Sequence, residues 1–269
     1  MRISCLIENS ACAGFESEHG LSLWIEARGR RLLFDAGRSG AFAENAARLG
    51  IDLAGAEAAV LSHGHYDHSG GMERFFELNA RARLYARAGA SEPHWSVSTG
   101  QKRYIGISGA LASSGRYEEL PGDCELFPGF LLFGSPGTEL LPGSNSVLLG
   151  PDGESADDFR HEQSLVIEEG GRHVLIAGCA HRGIVNIVER CVELTGRAPE
   201  LVIGGFHLAV PGHEETDEAL TDATARRLMG YPGLRCCTGH CTGEGPCRRL
   251  ERLMGGRLAR LRPGLVLEL

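Results

Sequence analysis

Short runs of alternating apolar and polar residues are the most regular feature of this 269-residue chain. Such alternation is typical of half-buried strands, and a tight glycine turn between two runs predicts a hairpin. One pair of runs spans 21–34 and turns at Arg28-Gly29-Arg30. A second pair spans 164–176 and turns at Glu169-Gly170-Gly171. We therefore predict a β-hairpin early in each half of the chain.

Helices and further strands follow each predicted hairpin. In the first half, the pattern predicts strands at 2–8, 57–61 and 82–85 and helices at 39–49 and 70–79. In the second half, it predicts strands at 201–203, 234–237 and 265–269 and helices at 184–194, 216–229 and 247–254. Strands that alternate with helices indicate a layered α/β fold. Because the two halves repeat the same order, we predict one domain that spans residues 1–269.

The segment 91–160 interrupts this regular pattern. It is rich in Gly, Ser and Pro, and strands are predicted in it only near 124–133 and 145–149. An irregular segment of this length inside a compact fold is usually a functional lid or an insertion. A surface excursion without a function is the alternative. Lys102 and Arg103 are its candidate substrate contacts, because their cationic groups could face an anion.

Composition and charge narrow the class of protein. Hydrophobic residues make up 42% and charged residues 23% of the chain, which is ordinary for a globular enzyme. The net charge of −8 argues against a nucleic-acid partner, since binding the phosphate backbone needs a basic face. No apolar run approaches the length of a membrane span. Nine cysteines without a visible secretory signal predict reduced thiols in the cytoplasm.

Potential metal ligands are concentrated directly after the predicted strand 57–61. His63, His65, Asp67 and His68 fall within six residues and are followed by a Gly-Gly pair. Clustered imidazoles are costly to bury without partners, and this density has no packing rationale. His63 and His65 can point in one direction, while Asp67 and His68 follow a bend. The loop thus predicts two neighbouring metal ions, and imidazoles with a carboxylate favour zinc or a similar divalent ion.

Strand ends in the second half supply further candidate ligands. A catalytic zinc takes about three protein ligands plus water, and Cys179, His181 and His240 could complete the set. A small buried hydrophobe is the alternative for Cys179. His207, at another strand end, would suit a general acid or a substrate contact, with a structural cap as the alternative. A structural zinc site is disfavoured by the irregular spacing of Cys236, Cys237, Cys241 and Cys247.

The loop at 63–68 carries the His-x-His-x-Asp-His signature and resembles the metallo-β-lactamase superfamily. The resemblance extends to its dihydropterin-synthase-like branch through the stretches 18–22, 61–71, 178–184, 204–208 and 240–243. It covers nearly all of the chain outside 91–160. It implies an αβ/βα four-layer sandwich, with the metals at one edge between two sheets. It also implies that Asp35 lies under the metal loop and supports it.

The resemblance sharpens the candidate ligand set. His240 occupies the place of the last ligand histidine of the superfamily. Cys179 stands where most members have a bridging Asp and some β-lactamases have Cys. The usual histidine before the second hairpin is not clearly present, and His161 and Glu162 are nearest to that place. We therefore favour His181 as the missing nitrogen ligand.

The resemblance implies a metal-dependent hydrolase or synthase that acts on a small anionic metabolite, phosphorylated or pterin-like. A metal-bound hydroxide would be its nucleophile or base. Two Zn²⁺ ions are expected, with Mn²⁺ or Fe²⁺ as alternatives. Asp67 would hold the second ion and orient the water, and His207 would donate a proton. The substrate anion would meet Lys102, Arg103 or Arg182.

Two other functions remain open at this point. The first is a generic phosphodiesterase or lactonase, and the second is a non-catalytic, metal-dependent binding protein with 91–160 as its ligand clamp. The intact ligand loop favours an enzyme. A nuclease is disfavoured by the charge, and a di-iron site that reduces oxygen or nitric oxide is disfavoured because those relatives carry Glu at the position of His65.

Overall fold

Two seven-stranded sheets face each other in the computed structural model, which describes residues 1–209 and 217–269. The strands up to residue 120 are β1 (Arg2–Ile7), β2 (Ser22–Ala27), β3 (Arg30–Phe34), β4 (Ala58–Val60), β5 (Arg83–Arg87), β6 (Trp95–Ser96), β7 (Arg103–Tyr104) and β8 (Tyr117–Leu120). The later strands are β9 (Cys124–Phe127), β10 (Phe130–Phe133), β11 (Leu148–Leu149), β12 (Ser164–Glu169), β13 (Arg172–Ile176), β14 (Leu201–Gly204), β15 (Arg235–Thr238), β16 (Leu258–Arg260) and β17 (Val266–Glu268). The helices are α1 (Ala41–Arg48), α2 (Tyr66–Ser69), α3 (Met72–Leu78), α4 (Gly109–Ala112), α5 (Ile184–Thr195), α6 (Glu218–Met229) and α7 (Glu244–Met254).

The two sheets have matching strand orders. The first runs β17-β1-β2-β3-β4-β5-β8 and the second runs β16-β15-β14-β13-β12-β10-β9. Both predicted hairpins are confirmed, since β2 pairs with β3 and β12 pairs with β13, in each case antiparallel. In each sheet the next strand, β4 or β14, then joins the hairpin in parallel. The predicted repetition of the two halves is therefore present in the fold.

Apolar residues divide the molecule into four layers. The inner core joins the facing sheets and includes Leu23 and Phe34 of the first sheet and Ile167 and Ile176 of the second. A second core packs α1 and α3 on the outer face of the first sheet. A third core packs α5, α6 and α7 on the outer face of the second sheet. The implied αβ/βα four-layer sandwich is confirmed.

The hairpin turns are tighter than the sequence pattern predicts. Arg28 and Gly29 have φ values of 49° and 74°, and Gly170 and Gly171 have 61° and 77°. Positive φ at both central residues is the signature of a type I′ turn, whose twist matches that of the flanking strands. Each turn thus uses two residues, and Arg30 and Glu169 belong to the strands.

The segment 91–160 contributes more regular structure than the sequence predicts. Its strand β8 extends the first sheet, and β9 and β10 extend the second. The remaining strands β6, β7 and β11 form a small three-stranded sheet over the candidate site. The strand predicted near 145–149 is reduced to β11, because 143–147 forms a 3₁₀ turn. These strands have two to four residues each, too few for a periodic signal.

Three further elements differ from the prediction. The helix predicted to open at the Gly-Gly pair begins four residues earlier as α2, so Asp67 and His68 lie on a helical turn. The edge strand β16 was not predicted. The helix predicted from Thr216 is described from Glu218, and Thr216 lies outside the described residues. No helix in the two described ranges combines the length and the apolar character needed to cross a lipid bilayer.

Candidate metal centre

The candidate ligands converge at one edge of both sheets, where parallel strands end. Carboxyl ends of neighbouring parallel strands meet at the same edge, which is where α/β folds place their sites. The residues that follow β3, β4, β13, β14 and β15 at this edge include Asp35, His63, Cys179, His207 and His240. The sequence therefore brings together side chains from both halves of the chain.

Three buried histidines form the first ligand group. The Nε2 atom of His63 lies 3.1 Å from Nδ1 of His65 and 3.3 Å from Nε2 of His181. Two nitrogens bound to one tetrahedral zinc, with bonds of about 2.0–2.1 Å, are roughly 3.3 Å apart. The separations are therefore those of ligands that share one ion.

A second group lies beside the first. The Nε2 atoms of His68 and His240 are 3.1 Å apart. The Oδ2 atom of Asp67 lies 3.7 Å from the former and 3.5 Å from the latter. Two imidazoles and one carboxylate thus face a common point, with the spacing that a second divalent ion requires.

Cys179 lies between the two groups. Its Sγ atom is 3.2 Å from Nε2 of His68. It also lies within 4.8 Å of ligand atoms of His63 and His181 on one side and of His240 on the other. Burial raises the pKa of this thiol, and a divalent cation would counter the effect by stabilising the thiolate. The side chain is therefore placed as a shared donor.

An oxygen atom holds the Nδ1 atom of each of four histidines. The pairs are His63 with Ser62 Oγ at 2.9 Å, His68 with Asp35 Oδ2 at 2.6 Å, His181 with Asn145 Oδ1 at 3.0 Å and His240 with Asn9 Oδ1 at 2.8 Å. Histidines that bind metal almost always donate their other ring N–H to such a partner. The four Nε2 atoms are left to face the two ligand groups.

The partners also fix which ring nitrogen carries the proton. The hydroxyl of Ser62 donates to Asp35 Oδ2 at 2.7 Å, so it accepts from Nδ1–H of His63. The amide nitrogen of Asn145 donates to the carbonyl of His181 at 2.8 Å, which turns its oxygen toward Nδ1 of the same residue. The lone pairs on Nε2 are therefore directed at the centre, and the residues fit a pair of divalent ions.

Electrostatics agree with this assignment. Burial lowers the pKa values of His63 and His181 well below the usual range and that of His240 to about 4, which keeps these rings neutral. Burial also lowers the pKa of His68, but the carboxylates of Asp35 and Asp67 outweigh it and raise the value to about 9. A divalent cation would take the place of that proton.

A cavity of about 330 Å³ opens onto both ligand groups. Arg103 lines it, and its contact with a substrate stays a prediction. Lys102 and Arg182 do not line it, contrary to expectation. Successive residues of an extended chain face opposite sides, so Lys102 points away from the side that Arg103 faces. Its ammonium lies 3.3 Å from the carbonyl oxygen of Gly153. The guanidinium of Arg182 donates instead to the backbone carbonyls of Ser135, Pro136, Gly137 and Asp158.

His207 also lines the cavity, in a strained backbone conformation. Its φ is +48°, its exposure is 6%, and neither ring nitrogen has a hydrogen-bond partner among the described residues. Its ring centroid lies 4.1 Å from that of His181. Together with Cys179 and Cys241 it forms a further group whose ligand atoms lie within 4.8 Å of one another. The position allows either proton transfer or ligation.

The two alternative ligands weighed from the sequence are engaged elsewhere. His161 accepts from the backbone N–H of Gly64 at 3.0 Å and faces Asp157 with its other nitrogen. The carboxylate of Glu162 accepts from the backbone N–H groups of His181 and Arg182 at 2.7 and 2.9 Å. Burial raises the pKa of Glu162 to about 7. Neither side chain joins the two ligand groups.

Several site residues were not predicted as such. The Nε2 atom of His19 lies 3.2 Å from Asp67 Oδ2, and Asn9 and Glu8 support His240 through its ring and its backbone N–H. His19 lies within one of the stretches that resemble the dihydropterin-synthase-like branch, so a signal for it was present. Asn9 and Glu8 follow an ordinary strand, and only the fold brings them to His240.

The comparisons with known proteins agree with this geometry. The model of the metallo-beta-lactamase superfamily matches residues 18–240. The chain is 28% identical over 261 residues to the uncharacterized protein MJ0448 of Methanocaldococcus jannaschii, which covers 93% of this chain and 94% of that one. It is 28% identical over 254 residues to the 7,8-dihydropterin-6-methyl-4-(beta-D-ribofuranosyl)-aminobenzene-5'-phosphate synthase of the same organism, covering 85% and 82%.

A solved structure gives the same result. The crystal structure of Tm1679, described as a metal-dependent hydrolase of the beta-lactamase superfamily, superposes with a TM-score of 0.81 at 30% identity. The match covers 100% of this chain and 99% of that one. The similarity to the synthase also supports the branch indicated by the sequence motifs. This chain belongs to the metallo-β-lactamase superfamily.

Proposed function

We propose that the protein is a metal-dependent enzyme, a hydrolase or a synthase, that acts on a small anionic metabolite of a phosphorylated or pterin-like kind. One observation carries the proposal. Four histidines, each held at Nδ1 by an oxygen, direct Nε2 toward two neighbouring points that share the thiol of Cys179. Such preorganisation of neutral imidazoles is characteristic of metal sites.

The donor set divides between two ions. The first would be held by His63, His65 and His181, and the second by Asp67, His68 and His240, with Cys179 shared. Imidazole, thiolate and carboxylate donors favour Zn²⁺, with Mn²⁺ and Fe²⁺ as alternatives. When bound, such ions supply Lewis-acid polarisation and lower the pKa of a bound water to about 7.

Two side chains are proposed to act on the reacting groups. Asp67 lines the cavity, and its carboxylate would orient the attacking water through its oxygen. His207 would donate a proton to the leaving group, because its ring lines the cavity and its nitrogens are not engaged by the described residues. Proton donation of this kind contributes about 10²–10⁴-fold to the rate.

Arg103 is proposed to bind the anionic group of the substrate. Arg103 lines the cavity, and none of the salt bridges among the described residues involves it. A planar, permanently charged group suits a carboxylate or a phosphate. The similarity to a protein named as a synthase of a phosphorylated pterin compound supports the same substrate class.

Activity assays with phosphorylated and pterin-like compounds test this proposal. We expect turnover that is lost on chelation of the metal. We also expect Arg103→Ala to raise KM about tenfold or more, while Lys102→Ala, one residue away but outside the cavity, has little effect. Tight binding of these compounds without turnover would instead identify a binding protein. Turnover restricted to neutral lactones or to phosphodiesters would favour the generic hydrolases.

We propose the compartment and the partner class of the protein from its cysteines and its charge. All nine cysteines are free, which supports a reducing, cytoplasmic compartment. The net charge of −8 supports a small molecule rather than a nucleic acid as the partner. We propose no membrane partner.

A further inference from the structure

Three buried polar side chains outside the ligand set pack against the metal loop. They are His94, Asp157 and His161, here called the Asp157 cluster, and they come from the start of the segment 91–160, from its end and from the residue that follows it. The Oδ2 atom of Asp157 lies 3.0 Å from Nδ1 of His94 and 3.2 Å from Nε2 of His161. The two imidazole rings lie 4.0 Å apart at 33°. Such a network is costly to bury unless every member is satisfied.

The protons in this cluster are fixed by its partners. His161 accepts the backbone N–H of Gly64 on Nδ1 at 3.0 Å, so its proton is on Nε2 and is donated to Asp157. The other carboxylate oxygen of Asp157 accepts from the backbone N–H of Phe159 at 2.8 Å. Burial would raise the pKa of Asp157, but the hydrogen bonds from His161 and His94 outweigh it and hold the pKa well below the usual range. The cluster therefore presents a fixed, ionised carboxylate.

The cluster contacts the loop between two first-ion ligands. Gly64 separates His63 from His65, and a Cβ atom added to it would lie 2.8 Å from Nε2 of His94. The backbone of the loop is thus held by His161 and covered closely by His94. A shift of either side chain would move the peptide that joins the two ligands.

His65 lies between the cluster and the other ligands of the first group. Its Nδ1 atom faces His63, whereas its Nε2 atom is buried and has no hydrogen-bond partner among the described residues. Polar atoms of His65, Asp157 and His161 all lie within 4.8 Å of one another. The carboxylate of Asp157 is therefore close to the ring of His65, although it does not accept a hydrogen bond from Nε2.

We propose that Asp157, together with His161 and His94, is a positioning residue that sets the orientation of His63 and His65 for the first ion. The inference rests on the metal centre of the proposed function. On this proposal, the ends of the segment 91–160 take part in metal binding, in addition to the part of the segment that covers the cavity. Because the cluster forms no hydrogen bond or salt bridge with Asp67, His68 or His240, we expect its effect to be specific to the first ion.

Metal titration of Asp157→Asn tests the proposal. Metal-free protein is titrated with Zn²⁺ against a chelating indicator, in the wild-type chain and in an Asp67→Ala background that retains only the first ion. We expect the affinity for the first ion to fall about 10–100-fold, as is typical when a residue behind a metal ligand is changed. The matched control is Asp123→Asn, whose carboxylate is also paired with two side chains, in this case those of Arg87 and Arg190, but lies away from the metal loop.

A second pair of variants separates positioning from folding. His161→Gln keeps an oxygen that can accept the N–H of Gly64 and should restore much of the affinity that His161→Ala loses. Thermal unfolding of the metal-free proteins should change little more for Asp157→Asn than for Asp123→Asn.

Three results would overturn the inference. The first is an affinity for the first ion in Asp157→Asn that equals that of the control. The second is an equal loss of both ions in Asp157→Asn. The third is a His161→Gln variant whose affinity for the first ion is no higher than that of His161→Ala. A wild-type chain that binds no divalent ion would overturn the proposed function along with it. Two ions in the wild type with an unaffected Asp157→Asn variant would overturn this inference alone.

Discussion

His207 differs in what surrounds its ring from four of the five histidines in the ligand set, those other than His65. Each of those four has an oxygen on Nδ1, whereas His207 has no partner on either nitrogen among the described residues. A ring without an orienting partner suits a group that exchanges protons during a reaction, because histidine is a common general acid and base. The same ring lies close enough to Cys179 and Cys241 to ligate an ion with them.

Replacing His207 by Ala distinguishes these roles. We expect the metal content to remain at the wild-type value and turnover to fall on the order of a hundredfold or more, since only a proton donor is lost. Elemental analysis and steady-state kinetics measure the two quantities. His173→Ala is the matched control, because this buried histidine lies on β13 outside the cavity lining. Loss of an ion in His207→Ala would assign it to the ligand set, and full activity would make it structural.

At the residue scale, the sequence predicts side chains that lie at strand ends and carry unusual chemistry. Cys179 and His240 could be proposed because each directly follows a buried strand and precedes or follows a glycine. Asn145 and Asn9 could not, because amides in loops are common and nothing in the sequence relates them to a particular histidine. Arg182 was misplaced for a similar reason, since its four carbonyl partners come from a distant part of the chain.

At the scale of elements, the Gly-Gly pair allows the metal loop and α3 to approach the first sheet. A Cβ atom at Gly71 would lie 2.2 Å from the carbonyl oxygen of Ala36 and 2.4 Å from that of Ser39. These oxygens belong to the backbone that follows β3 and Asp35, so they cannot move aside cheaply. The pair therefore serves the packing of α3 against the strand end that carries Asp35.

Gly71→Ala should destabilise the protein for this reason. We expect a loss of about 1–3 kcal/mol in the free energy of unfolding, the usual range for overpacking in a closely packed interior. Urea denaturation measures it. Gly109→Ala, at the first position of α4, is the control, because no atom lies within 4 Å of its added Cβ. Equal stability of the two variants would contradict the close approach of α3.

Element boundaries were predicted correctly in long elements, where the apolar pattern repeats several times, and were missed in short ones. The helix α5 has 12 residues and a clear buried face, and its start at Ile184 was predicted. The strands β8 and β16 have four and three residues, and their sheet positions follow from pairing with distant strands. Such pairing leaves little trace in a local pattern.

At the scale of the whole molecule, the centre depends on the joining of two similar halves. The first half supplies His63, His65, Asp67 and His68 from one loop, and the second supplies Cys179, His181 and His240 from two strand ends. The inner core between the sheets fixes how these ends meet. The segment 91–160 and the adjoining His161 then add Asn145 and the Asp157 cluster from outside. The repetition of the halves could be predicted from the sequence, but the part played by this segment could not.

Anomalous X-ray scattering at the zinc edge, from crystals of the zinc-loaded protein, tests the two-ion centre most directly. We predict two peaks of anomalous density. One should lie among His63, His65 and His181, and the other among Asp67, His68 and His240. The Nε2 atom of His240 should lie about 2.0–2.1 Å from the second ion. Crystals of Asp67→Ala should lose the second peak and largely keep the first. A single peak in the wild type, a His240 ring more than about 3 Å from any ion, or both peaks retained in Asp67→Ala would contradict it.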